Sequence, residues 1–367
     1  MVLGERVSGK IRHSTYAVIA LALSCCGCSR LPPGTLLPVT QMEAEGTSTV
    51  PLLVATTRAR AAAVNGSMFG SEGGEQVSYA SIAVSIPADA SRTIGEVQWP
   101  TASPGDPRQN FVTVSADHID RASFLASLSA AAKTRARGKV LLFVHGFNNR
   151  FDEAVYRFAQ IVHDSKAPAV PVLFSWPSRG SVSLQAYQED LESAANSRDS
   201  LSQVLDGIAA MPGVKEVTLL CHSMGCSLTF EALRARAAAG RVGAKIRNVL
   251  LVAPDVDANA FRLQVHGMGA ARPRFALFLS QDDRALRLSK SIWGGVTRLG
   301  GVDPDQEPYR TDLRREGIEV FDLTRLRGNA HSRAFEDVTS VMGMIEARLV
   351  KGQEMTEGRL PVSEDTR

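Results

Sequence analysis

Cysteine all but vanishes from this chain after its first thirty residues: only Cys221 and Cys226 follow Cys25, Cys26 and Cys28. Two thiols cannot supply the disulfide framework on which small secreted domains depend. Both flank Ser223, and at sequence level they read as small buried side chains, a bridge across the turn being the alternative. Long basic runs are also lacking. The net charge is only +3 over 367 residues, and the patches RLRGN and LRREG read as solvated faces. Nucleic acid is thereby excluded as the main partner. The seven histidines contain no His-x-x-x-His pair, and the cysteines are not at zinc spacing, so neither metal nor cofactor is expected.

Acidic residues are missing between Glu5 and Glu43. In that gap Arg6, Lys10 and Arg12 precede YAVIALALSCCGC, an apolar core about half the ~20 residues that a spanning helix needs. Residues 1–28 therefore read as an export signal. Its end, at Cys25 and Cys26, resembles a bacterial lipoprotein signal, which implies lipidation of one of these cysteines and attachment to the cell envelope. The alternatives are a plain secretory signal, giving a secreted or periplasmic protein, and an uncleaved anchor.

Residues 29–51, rich in Pro, Gly and Thr, read as a linker. A domain over 52–350 follows, with N-terminal strands and an extension at 52–137 and the core at 138–350; 351–367 is a polar tail. In the extension, NGSMFGSEGGEQ reads as a loop. VSYASIAVSIP (77–87) alternates as a strand does, and IGEVQWP (94–100) reads as a second. From 138 onward, apolar runs without alternation (KVLLFV, AVPVLFSW, VKEVTLLC, RNVLLVAP, RFALFLS, IEVFDL) are separated by amphipathic segments. AFEDVTSVMGMIEARLV (334–350) supplies a closing helix. That rhythm predicts an α/β fold: a mostly parallel sheet of about eight strands with helices on both faces. Ligands in such folds bind beyond the carboxyl ends of the strands.

Four segments fall at such ends: HGFNN, CHSMGC, LSQDDRAL and GNAHSRAF. In CHSMG, flanked by an apolar run and a helical pattern, Ser223 occupies the centre of a nucleophile elbow, with Gly225 in place and Cys221 where the first glycine usually stands. A serine hydroxyl needs a base, and His331 alone among the histidines follows the last strand pattern. The third member is a carboxylate that fixes the imidazole tautomer; Asp282, Asp283 and Asp255 all lie past strand patterns. His222 adjoins the serine and is expected to point away on the turn. HGFNN offers a backbone N–H at Phe147 that, with that of Met224, forms an oxyanion hole, each donor contributing ~3–4 kcal/mol in the transition state.

These segments, with VATTR, VSIP, FSWPSRG, APDVD and the late Ala-His-Ser, resemble the α/β-hydrolase superfamily, and within it a bacterial family of exported esterase/lipase-like proteins of uncharacterised function. The resemblance implies a Ser223–His331–Asp283 triad, with Asp283 chosen because it precedes Arg-Ala-Leu. The expected activity is hydrolysis of a small-molecule or lipid carboxylic ester. The alternatives are an amide or thioester hydrolase, or a non-catalytic envelope-tethered binding or scaffold protein on the same fold. ANAFRLQVHGMGAARPR (258–274) and SIWGGVTRLGGVDP (291–304) are long enough to roof the site.

Overall fold

The computed structural model describes residues 32, 34–39, 45–61, 66–240, 243–269, 271–326 and 331. The export signal, Cys25, Cys26, the helix expected over 334–350 and the tail lie outside them.

The apolar runs pair as expected. β4 (Lys139–Val144), β5 (Val170–Ser175), β6 (Glu216–His222), β7 (Ile246–Val252), β8 (Arg274–Leu279) and β9 (Glu319–Asp322) all run parallel to their neighbours. An N-terminal limb extends the sheet. β1 (Ser48–Arg60) lies parallel to β5, while β2 (Phe69–Ile86) and β3 (Val112–Ile119) continue antiparallel. Among the described residues this makes one nine-stranded sheet in the order β3-β2-β1-β5-β4-β6-β7-β8-β9. It is the mostly parallel sheet that the pattern predicts, with nine strands where about eight were expected.

Strand residues alternate between two cores because successive side chains leave opposite faces. Leu142 and Val144 of β4 pack with α1 (Arg121–Thr134), α4 (Arg198–Ala210), α5 (Met224–Ala238) and α6 (Ala258–Gly267). Leu141 and Phe143 face α2 (Phe151–Ser165) and the β1–β3 limb instead. With both faces covered, the inner strands need apolar residues at every position, which is why their sequences do not alternate.

Four departures from the sequence reading have physical causes. β1 starts at Ser48, inside the expected linker, and Leu36 is 3% exposed because the Tyr156 hydroxyl donates to the Thr35 carbonyl at 2.9 Å. IGEVQWP forms no strand; its Trp99 stacks on Tyr156 with ring centroids 5.9 Å apart, so the apolar residues serve packing rather than pairing. Much of the expected NGSMFGSEGGEQ loop is the solvated outer half of β2. The long helical pattern before β6 divides at Ser197 into α3 (Leu184–Asn196) and α4, where the Ser197 hydroxyl donates to the Ser193 carbonyl at 2.8 Å.

Candidate active site

β6 ends at His222 and α5 begins at Met224, so the whole reversal falls on Ser223, with φ 50° and ψ −123°. For a residue with a Cβ this conformation costs about 1–3 kcal/mol and persists only where neighbours enforce it. Here the Ser223 N–H donates to the Val252 carbonyl at 3.0 Å. Its own carbonyl accepts from Cys226 N–H at 3.0 Å and Asp255 N–H at 3.1 Å. The helix starts so close to β4 that a Cβ on Gly225 would lie 2.2 Å from the His145 carbonyl oxygen. No side chain fits there, which accounts for the glycine.

Cys221 and Cys226 correct the sequence reading: their sulfurs are joined in a disulfide, with Cα atoms 4.9 Å apart. One leaves the end of the strand and the other the first helical turn, and only the sharp elbow turns them together. Closing so short a ring contributes about 2 kcal/mol by the chain-entropy argument.

The expected acid and base meet. His331 Nδ1–H donates to Asp283 Oδ2 at 2.8 Å, across 48 positions of sequence. The other carboxylate oxygen accepts from Leu286 N–H at 3.0 Å, so Asp283 also caps α7 (Arg284–Ile292). One buried residue performs both tasks, and Asp282 is partly exposed. Burial alone would raise the Asp283 carboxyl, but the charge and hydrogen bond of His331 outweigh it and hold it below the ordinary value. Burial likewise opposes charge on His331, and Asp283 overcomes it, raising the imidazole above 6.5. With Nδ1 donating, Nε2 is the nitrogen left to accept a proton.

Asp255, the third candidate, is committed elsewhere. It accepts from Arg298 Nε and Ser289 Oγ, each at 2.6 Å, and from the Tyr187 hydroxyl at 2.9 Å. Arg298 also lies over the Trp293 ring, 5.4 Å from its centroid, so the 291–304 segment is anchored at the end of β7. The 258–274 segment is less a roof than a core element: Phe261 of α6 packs on Phe230 and Phe275.

His222 does not point away as expected. Its Nε2–H donates to the His331 carbonyl at 3.0 Å, with the two rings 4.8 Å apart. This contact brings the segment carrying His331 to the residue beside Ser223. On its other flank runs the HGFNN loop: a Cβ on Gly146 would lie 2.8 Å from His222 Nδ1 and 3.0 Å from Ser223 Cβ. Phe147 follows Gly146, its ring edge-on to Tyr187 at 5.4 Å. Met224, fully buried, is the first residue of α5, where a backbone N–H has no acceptor within its own helix.

Arg58, from VATTR, braces this loop and was missed as a site residue. Buried at 1% exposure, it donates to the carbonyls of Asn149 (2.7 Å), Gly70 (2.9 Å) and Ser178 (3.0 Å) and to Ser175 Oγ (2.9 Å). Ser175 Oγ in turn meets His145 Nε2 at 2.9 Å, while His145 Nδ1–H donates to the Gly146 carbonyl at 3.0 Å. Burial and the Arg58 charge push His145 down to about 3, so it stays neutral in this tautomer. FSWPSRG completes the brace: Ser178 Oγ accepts from Asn149 N–H at 3.1 Å and donates to Asp190 at 2.5 Å. An arginine ending a strand pattern was the available signal. A cavity of about 360 Å³ opens beside this brace, walled by Arg58, Phe69, Arg150 and Arg179 rather than by Ser223.

Among the described residues, no group of three or more His, Cys, Asp or Glu is placed to hold a metal ion, and no helix is long and apolar enough to cross a membrane.

A left-handed serine between a parallel strand and a helix, with a carboxylate–imidazole pair brought in from beyond β8 and β9, fits the α/β-hydrolase class. Residues 120–348 match the family described as "Alpha/beta hydrolase of unknown function (DUF900)", and the chain belongs to it. No curated protein matches the sequence. Similar solved structures include an esterase from Pyrobaculum calidifontis, at 10% identity over 92% of this chain and 90% of that one, TM-score 0.34. Brefeldin A esterase, described as a bacterial homologue of human hormone-sensitive lipase, is similar at 11% identity over 95% and 89%, TM-score 0.37. The thermostable carboxylesterase EstE1, cloned from a metagenomic library, is similar at 11% identity over 94% and 97%, TM-score 0.36.

Proposed function

We propose that this α/β hydrolase is a serine esterase that cleaves a carboxylic ester through an acyl-enzyme. The observation that carries the proposal is the hydrogen bond between His331 Nδ1 and Asp283, which leaves Nε2 as the base beside the Ser223 elbow. His331 Nε2 takes the hydroxyl proton as Ser223 Oγ attacks the ester carbonyl. Asp283 stabilises the imidazolium that forms. The N–H groups of Phe147 and Met224 receive the oxyanion, and the imidazolium protonates the departing alkoxide. Water, deprotonated by the same imidazole, then releases the acid and restores Ser223.

The test is covalent labelling with a fluorophosphonate, together with hydrolysis of p-nitrophenyl acetate. Wild type is expected to label, with Ser223→Ala blank and both Ser223→Ala and His331→Ala slower by about 10⁴–10⁶-fold in kcat. A folded wild-type protein that neither labels nor turns over any acyl substrate would defeat the proposal and favour a scaffold.

A further inference from the structure

We propose that His222 is a positioning residue of this site: it tethers the main chain of His331 to the nucleophile elbow and so sets where the catalytic imidazole stands. The inference rests on the esterase reading above. Asp283 holds the imidazole side chain through Nδ1. The His222 bond, at 3.0 Å to the carbonyl of the same residue, supplies a second fixed point. Two anchors, one on the side chain and one on the backbone, define the approach of Nε2 to the serine. A displacement of about 1 Å in such geometry is worth ~10²-fold in rate.

The His222 ring is itself pinned. It is the last residue of β6, and Gly146 of the HGFNN loop passes against its Nδ1 with no room for a Cβ. One side chain thus touches the three segments that must cooperate: its own elbow, the HGFNN loop and the segment carrying His331. A carbonyl can only accept, so Nε2 carries the proton.

The charge state suits the task. Burial first, then the charge of His331, pushes His222 down to about 3; the bond to the His331 carbonyl and the charge of Asp283 oppose that shift and the charge of Arg157 adds to it. A neutral ring can donate to the carbonyl without opposing the positive charge that His331 takes up during turnover.

The decisive comparison is His222→Met against His222→Gln, two linear side chains of similar length that differ in possessing an N–H donor. Kinetics on p-nitrophenyl acetate are expected to show kcat about 10²-fold down in His222→Met, with KM little changed and at least about tenfold of the loss recovered in His222→Gln. Equal kcat in the two variants, or wild-type kcat in His222→Met, overturns the proposal. If His222→Met does not fold, His222→Phe takes its place. A second readout needs no turnover: the downfield NMR resonance of the His331 Nδ1 proton is expected in wild type and His222→Gln and lost in His222→Met. Its undiminished presence in His222→Met also overturns the tether. An inactive wild type that shows this pattern of resonances would defeat the esterase and leave the tether standing.

Discussion

Asp255 and Asp283 sit just past the ends of neighbouring parallel strands, β7 and β8, and are buried at 4% and 1% exposure. Their surroundings could hardly differ more. Asp255 faces Arg298, a cation buried at 6% exposure, and two hydroxyls also donate to it. Asp283 faces an imidazole. A guanidinium keeps its proton at any pH a protein survives, whereas an imidazole gains and loses one near neutrality. Burial at a strand end therefore does not fix what a carboxylate does; the chemistry of its partner does. One aspartate joins distant segments through a fixed cation, and the other holds an imidazole by its Nδ1.

Asparagine at each position separates the two roles most widely. Asp283→Asn is expected to lower kcat by about 10⁴-fold, because the amide cannot hold the imidazole in its working tautomer. Asp255→Asn is expected to leave kcat within about tenfold of wild type, and steady-state kinetics on both proteins would expose a reversal. Stability gives the next largest contrast. Asp255→Asn strands the buried Arg298 and is expected to cost about 3 kcal/mol, with much of it recovered in Asp255→Asn/Arg298→Met, as read from denaturant midpoints. No recovery in the double variant would remove the ion pair from the explanation.

The smallest effect is the shift of a pH profile. His331 must be neutral to accept the proton, so kcat/KM should rise with pH through an apparent pKa above 6.5, the direction in which Asp283 moves it. In residual Asp283→Asn activity that limb should move to lower pH. Both members of the pair stabilise the fold, with opposite slopes against pH. The Asp283 share is present above its unfolded value of 3.8 and fades as pH falls through the depressed folded value. The His331 share is present below 6.5 and fades as pH rises through the raised one. Melting temperatures of wild type and Asp283→Asn should therefore differ most between those limits; curves with a constant offset would separate the pair from the pH dependence.

What the sequence disclosed follows from the range over which each interaction acts. β4 to β8 were legible because a doubly covered strand must be apolar throughout, and the elbow because strand, small residues and helix are contiguous. β2 was only half legible, since its outer half pairs through the backbone while its side chains, SEGGEQ among them, face solvent. The break at Ser197 carries no proline or glycine to announce it. Arg58, His222 and the disulfide were missed because their meaning lies in where distant or reversed chain ends meet. His222 is adjacent to the serine in sequence, but its partner is 109 positions away. Asp283 and His331 were chosen by order and resemblance; their hydrogen bond is a tertiary fact that no local pattern contains.

The Arg58 brace also bears on where the functional unit begins. The family match starts at residue 120, yet the guanidinium that holds Asn149 and Ser175 comes from a strand far upstream of it. A truncation cut at that boundary would strip β1 from β5 and leave an inner strand as a bare edge, its hydrogen-bonding groups open to pairing with other chains. It would also withdraw the clamp from the loop beside Ser223. The smallest piece that keeps this site whole therefore starts well before the segment by which the family is recognised.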